Sequence, residues 1–245
     1  MRKCQHIVIP SESMLDILVQ DYGLESGYTV IPTGIDLQLY RAADGKKIRS
    51  HHSWGNDRVM ISVGRMSAEK NWQTLLESAA LVIQDYPDLR VVIIGDGPER
   101  QALKDFSSQI GISEQVDFIG EVPFSEIPAY LKSADFFGFA STSETQGLVT
   151  LEAMAAGLPV VAVNASGTRD ILEHDRQGLL VENHPQALAR AICHLLDKEE
   201  LIGRFKTAAL ERAAVFDIKL LTRKLVYVYE QAIQDKHENI FVKIR

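Results

Sequence analysis

An α/β domain on a doubly wound parallel sheet is the fold class this sequence predicts, and three observations predict it. From Arg58 onward six short apolar runs alternate with stretches of helical spacing. The runs are short and continuously apolar, the pattern of strands covered on both faces. The chain has 245 residues, of which 46% are hydrophobic and 24% charged, enough apolar side chain for a sizeable core.

The elements follow in order. "RVMISVG" is a strand ending in glycine, and "NWQTLLESAALVIQDY" has helical spacing. "LRVVIIGDG" is a second strand and "PERQALKDFSSQI" a helix, with Pro98 expected at an early helical position. "QVDFIGEV" is a strand, "FSEIPAYLKSA" a short helix and "DFFGFAS" a buried strand. A helix over Gly147–Ala156 leads to the strand "PVVAVN", a short helix near Thr168–Leu172, the strand "QGLLVE" and the helix "HPQALARAICHLLD". Right-handed crossovers then give a Rossmann-like domain over residues 58–197. Residues 198–245 read as C-terminal helices, and "LLTRKLVYVYEQAIQ" carries an apolar face that can lie across onto another domain.

Residues 1–57 read differently. "HIVIPSESMLDILVQDYGL" is strand, turn and helix, and "YTVIPTGID" is a strand ending in a Pro-Thr-Gly turn. "RAADGKKIRSHHSWGND" reads as polar loop. This block has too few strands for a core of its own and is expected to be the tail of a preceding domain plus a linker.

Composition excludes several classes. The formal charge is −7 and no long basic run occurs, so nucleic acid is not an expected partner. The only cysteines, Cys4 and Cys193, lack metal-ligand spacing and suggest a reducing, cytoplasmic setting, Cys193 serving as core packing. No apolar run approaches the ~18 residues of a membrane span, and the patch in "MRKCQHIVIPSES" is too short for a signal peptide. The seven histidines are scattered with no catalytic spacing, and no acid-rich cluster suggests a metal.

In a parallel α/β sheet, ligands bind beyond the carboxyl ends of the strands. Four polar clusters fall there: "GRMSAEK", "GDGPER", "GEVP" and "STSETQG". Arg65 and Lys70 flank the first turn, where Arg can fork onto phosphate oxygens and Lys acts as a point charge, each bond contributing roughly 1.5–3 kcal/mol. The competing reading is a solvated pair near Glu69. Gly147 opens a helix whose free amides and dipole favour an anion, the dipole adding about 0.3–1 kcal/mol. A tight turn alone would also explain it. Glu144 and Glu152, eight apart in "SETQGLVTLE", can accept hydrogen bonds from sugar hydroxyls and a ribose diol. Alternatively Glu144 caps the helix or is placed favourably for its dipole, and Glu152 forms an ion pair. "GDGPER" lacks the third glycine of a dinucleotide fingerprint and follows the second strand, which disfavours a dehydrogenase and suggests a plain turn. Jointly the clusters favour a ligand that is a sugar joined to a diphosphate.

The pieces "VIPTGID", "SVGRMSAEKN", "VVIIGDGPER", "VDFIGEV" and "SETQGLVTLEAMAAGLPVVA" resemble the C-terminal donor domain of retaining GT-B glycosyltransferases of group 1, family 4, over roughly residues 28–196. The resemblance implies two Rossmann-like domains across a cleft, this one holding a nucleotide-sugar and the other the acceptor. Arg65 and Lys70 would bind the donor diphosphate and stabilise charge as the nucleotide leaves. Glu144 would hold the sugar's hydroxyls and Glu152 the ribose. The backbone at Gln146, Gly147 and Leu148 would hold sugar and phosphate, with Gly64 in the donor-binding turn and the backbone near Val122 meeting the base. It further implies a hexosyltransferase that retains configuration by front-face attack, with a UDP-sugar as the foremost donor and neither cofactor nor metal.

Two departures matter. The family usually reads Glu-Gly-Phe-Gly where this chain reads Glu144-Thr145-Gln146-Gly147. The Thr-Gln form is similar to enzymes that glycosylate diacylglycerol and related lipids, which points to a lipid acceptor, with a saccharide as the alternative, and to peripheral membrane contact of a full-length enzyme. The family's glycine-rich loop and acceptor-side histidine have no counterpart before "HIVIPSES". The chain is therefore expected to be a piece lacking the N-terminal acceptor domain, able to bind donor but not to transfer. The alternative is a non-catalytic nucleotide-sugar-binding subunit pairing with a separate acceptor-domain chain. Nothing in the sequence favours a third reading, a GT-B-like epimerase.

Overall fold

The structure, a computed structural model, describes residues 4 and 6–243, with side chains as far as Asp235. The outermost residues of the acceptor-side segment and of the helical tail (1–3, 5 and 244–245) lie outside the described residues.

Six parallel strands form the main sheet: β3 (Arg58–Val63), β4 (Leu89–Ile94), β5 (Val116–Gly120), β6 (Phe136–Phe139), β7 (Val160–Val163) and β8 (Gly178–Val181), in the order β5-β4-β3-β6-β7-β8. All six are the apolar runs of the sequence. Successive residues of each strand point to opposite faces, so each run feeds two cores. Met60, Val91, Ile93, Phe136 and Val161 face α4 (Trp72–Ile83), α5 (Arg100–Gln109) and α9 (Pro185–Leu196) through Leu75, Leu76, Leu103, Leu188 and Ile192. Val59, Ile61, Val92, Phe137 and Val160 face α6 (Ile127–Lys132), α7 (Leu148–Ala155) and α8 (Ser166–Ile171). Truncating a fully buried side chain such as Phe137 to alanine would cost about 3–5 kcal/mol.

The doubly wound topology sets where a ligand can bind. The chain runs outward through β3, β4 and β5, then returns to the far side of β3 for β6, β7 and β8. The loops after β3 and β6 therefore diverge, leaving a crevice at the switch point.

Ahead of this domain, β1 (Ile7–Ile9), α1 (Glu12–Tyr22) and β2 (Tyr28–Val30) form a βαβ unit whose two parallel strands make a separate sheet. Two expectations are corrected beyond it. The stretch read as polar loop contains helix α3 (Lys46–His51) and the last two residues of α2 (Leu37–Ala42), which begins in the unassigned "LQLY" just before it. Tyr40 and Trp54, 1% and 0% exposed, sit in the main core. Trp54 donates to Asp117 at 2.6 Å and stacks on His52. The pattern was obscured because these apolar residues stand singly among charges. The second correction is Pro98, which lies in the turn before α5 rather than in its first helical turn.

The C-terminal helices are α10 (Glu199–Ala214), which packs on α7 and α9, and α11 (Ile218–Lys243). Leu221 of α11 is buried in the core, while Val226, Tyr227, Tyr229 and Ile233 are exposed. No described helix is long and apolar enough to cross a membrane.

Candidate functional site

At the switch point the turn after β3 faces the turn after β6. The first carries Gly64 and Arg65 and closes in a 3-10 turn, Ala68–Lys70. It is zipped to the turn after β4, because the Met66 amide donates to the Asp96 carbonyl and the Glu99 amide to the Met66 carbonyl, at 2.9 and 3.0 Å. "GDGPER" is therefore a supporting turn, its Asp96 accepting from the Gly97 amide and pairing with Arg100. At Gly64 an added Cβ would make only an ordinary 3.5 Å contact with the Trp72 ring, so packing within the chain does not demand glycine there.

Lys70 Nζ donates to Glu144 Oε1 at 2.5 Å, joining the two turns. The lysine and glutamate side chains are only 20% and 12% exposed. This pair takes Lys70 out of the solvated-pair alternative, while Arg65 remains exposed. Glu144 does not cap the helix with its side chain. Lys70 does not pair with Glu69, whose carboxylate accepts from Ser67 Oγ at 2.6 Å, a hydrogen bond that lowers its pKa. Because Lys70 and Glu144 neutralise each other, the unpaired positive charge comes from Arg65, which is exposed and forms no ion pair among the described residues.

Beyond Glu144 the turn is rich in free donors. Among the described residues, the amides of Thr145, Gln146, Gly147 and Leu148 donate to no protein group, and helical pairing resumes only where the Thr150 and Leu151 amides reach the Gly147 carbonyl. Such a run of amides at a helix start favours an anion. Its shape depends on two glycines. Gly147 has φ +64°, and a Cβ on it would lie 2.8 Å from the Gly167 carbonyl oxygen. A Cβ on Gly167 would lie 2.5 Å from the Glu144 carbonyl oxygen, which accepts from the Gly167 amide at 2.9 Å and from Ser166 Oγ at 3.2 Å.

Glu152 lies farther along α7, partly buried, without an ion pair among the described residues. Burial pushes its carboxyl up to about 7. The nearby Tyr40 hydroxyl is raised by its own burial and then by the Glu152 charge, and it has no hydrogen-bond partner. Among the described residues the ion-pair alternative for Glu152 is thus absent. Val122 follows β5 at the edge of the sheet. Its side chain packs on the core, while its backbone N–H and carbonyl form no hydrogen bond among the described residues.

The structure thus brings Lys70 and Glu144 into contact across the switch point, with Gly64 and Arg65 on the first turn, Gln146, Gly147 and Leu148 on the second, Glu152 farther along α7 and Val122 two strands away from β3. Sequence reasoning missed Gly167, Ser11 and Thr33, which hold the turn from outside. A small-residue stretch after a strand, "NASGT", hinted at the first. The other two act over separations of more than 100 residues, which no local pattern reveals. A cavity of about 560 Å³ lies elsewhere: it opens at the amino ends of the strands beside Arg58, Asp135 and Pro159. A smaller one of about 210 Å³ adjoins the turn itself, lined by Pro10, Ser11, Pro32, Thr33, Gln146 and Leu148.

Two facing turns at the switch point of a parallel six-stranded sheet, with a helical tail, place the fold in the GT-B glycosyltransferase class, consistent with its C-terminal half. The chain belongs to the family described as glycosyl transferases group 1, whose pattern matches residues 44–212. It is 35% identical over 193 residues to alpha-monoglucosyldiacylglycerol synthase of Streptococcus pneumoniae, covering 72% of this chain and 44% of that protein. It is 30% identical over 223 residues to D-inositol 3-phosphate glycosyltransferase of Thermobispora bispora, covering 86% of this chain and 52% of that one. The chain therefore spans about half the length of these curated relatives. A crystal structure of Anabaena HepE in complex with UDP and glucose superimposes with a TM-score of 0.85 at 25% identity, over 93% of this chain and 63% of that one.

Proposed function

We propose that this chain supplies the nucleotide-sugar-binding half of a retaining hexosyltransferase, with a UDP-sugar as donor and diacylglycerol or a related lipid as acceptor. The observation that carries the reading is the Lys70–Glu144 pair set beside four unpartnered amides at the switch point. An ammonium has three donors, so Lys70 can keep Glu144 and still reach a phosphate oxygen. Arg65 supplies the net positive charge for the diphosphate, and the amides of residues 145–148 take its remaining oxygens or the sugar. The second oxygen of Glu144 accepts from a sugar hydroxyl. Glu152 takes the ribose diol, and the Val122 backbone meets the base. No metal is needed, because the cations and amides already oppose the charge of the diphosphate.

In the transfer, the bond from the anomeric carbon to the phosphate oxygen breaks while the acceptor oxygen bonds to that carbon from the same face. The departing phosphate oxygen takes the acceptor's proton. Arg65 and Lys70 stabilise the charge left on the nucleotide. The UDP-sugar donor draws support from the HepE complex, and the lipid acceptor from the diacylglycerol synthase relative and the Thr145-Gln146 turn. The acceptor side is assigned to a further domain of the kind the longer relatives have room for, so the chain alone is expected to bind donor without catalysing repeated transfer.

The test is titration of the chain with UDP, GDP and ADP, then with their sugars, followed by the same titration of Arg65→Ala and Glu152→Ala. UDP should bind best, and each substitution should weaken it at least tenfold. Equal affinity in both variants would refute the assignment of these residues.

A further inference from the structure

The turn proposed to hold the donor is gripped from the N-terminal block as well as from its own domain. Ser11 Oγ donates to the Thr145 carbonyl at 2.9 Å while accepting from the Met14 amide at 3.2 Å, so one buried hydroxyl caps α1 and holds the turn. Gln146 Oε1 accepts from the Thr33 amide at 3.2 Å. Ser13 Oγ donates to Asp170 Oδ1 at 2.8 Å, tying the same block to α8. In a trans peptide the carbonyl and the N–H point to opposite sides. Fixing the Thr145 carbonyl on Ser11 therefore fixes the direction of the Gln146 N–H, one of the four free amides.

We propose that Ser11 and Gln146 are positioning residues for the donor: they lock the amide-bearing turn to the segments that follow β1 and β2, so that donor binding tightens the contact between the N-terminal block and the donor domain. The inference rests on the donor reading of this turn. It gives the Gln146 side chain a task separate from that of its backbone. The carboxamide reaches away from the crevice to an amide with no other partner, a bond that an apolar side chain at this position cannot make. The turn is then set by a residue more than 100 positions away in sequence, and the orientation of the N-terminal block is read out at the donor site.

The experiment compares the wild-type chain with Gln146→Met and Ser11→Ala, measuring UDP affinity by calorimetry and hydrogen exchange of the Thr33 amide by NMR with and without UDP. In the wild type, UDP should slow exchange at Thr33. In Gln146→Met the Thr33 amide should exchange faster, UDP should no longer slow it, and the UDP dissociation constant should rise about three- to tenfold. Ser11→Ala, which leaves the Gln146–Thr33 bond in place, should weaken UDP to a similar degree with Thr33 still protected. An unchanged affinity in both variants, or a Thr33 amide equally protected in Gln146→Met, overturns the inference and leaves the donor reading standing. Failure of the wild-type chain to bind UDP overturns the donor reading, and the coupling with it.

Discussion

Glu152 is the residue whose environment makes the sharpest demand. Its carboxyl stands at about 7 in the folded chain because burial disfavours the charged form. A raised pKa means that the folded state loses stability as pH rises from the unfolded value of 4.5 to about 7, and is unpenalised below that range. Glu152→Gln should therefore stabilise the chain at pH 8, by up to roughly 3 kcal/mol, and leave it unchanged near pH 4. Urea unfolding at the two pH values measures this, and equal effects at both would show that the carboxyl is not shifted. The Lys70–Glu144 pair makes the opposite demand. Lys70→Met leaves a nearly buried carboxylate without its partner and should cost about 1–3 kcal/mol. Adding Glu144→Gln to Lys70→Met should recover most of that loss. A double variant no more stable than the single one would mean that the pair is not a coupled unit.

At the scale of elements, α7 and the turn before it show what a sequence can and cannot reveal. Gly147 was legible as a helix start because a glycine before "LVTLEAMAA" has few other uses. The reason glycine is required emerges only in three dimensions, from a left-handed backbone and the carbonyl of Gly167. Gly147→Ala should therefore destabilise the chain by more than 1 kcal/mol and weaken UDP together, since it disturbs the turn that presents the amides. Retained UDP affinity in a folded Gly147→Ala chain would detach the turn from donor binding. The six strands were legible for a simpler reason: burial on both faces writes itself as unbroken apolar runs. Helices α2 and α3 were not, because each runs to a single turn and a half and is held by isolated anchors such as Tyr40. The partner of Glu144 was also hidden. Lys70 was chosen for its charge, but its position opposite Glu144 follows from β3 and β6 being neighbours, which is a property of strand order and not of either motif.

For the whole molecule, the winding of the sheet assembles the crevice. The turns that meet there are contributed by strands more than 70 residues apart, and they face each other only because the chain reverses its direction of growth between β5 and β6. A cavity of about 560 Å³ lies at the opposite end of the strands, away from both turns. The central claim is that the crevice between β3 and β6 receives a nucleoside diphosphate. A crystal structure of the chain soaked with UDP tests it most directly. The account predicts the diphosphate against Arg65, Lys70 and the amides of residues 145–148, with the ribose at Glu152. UDP seated at the amino ends of the strands, or bound with its diphosphate away from that turn, would contradict it.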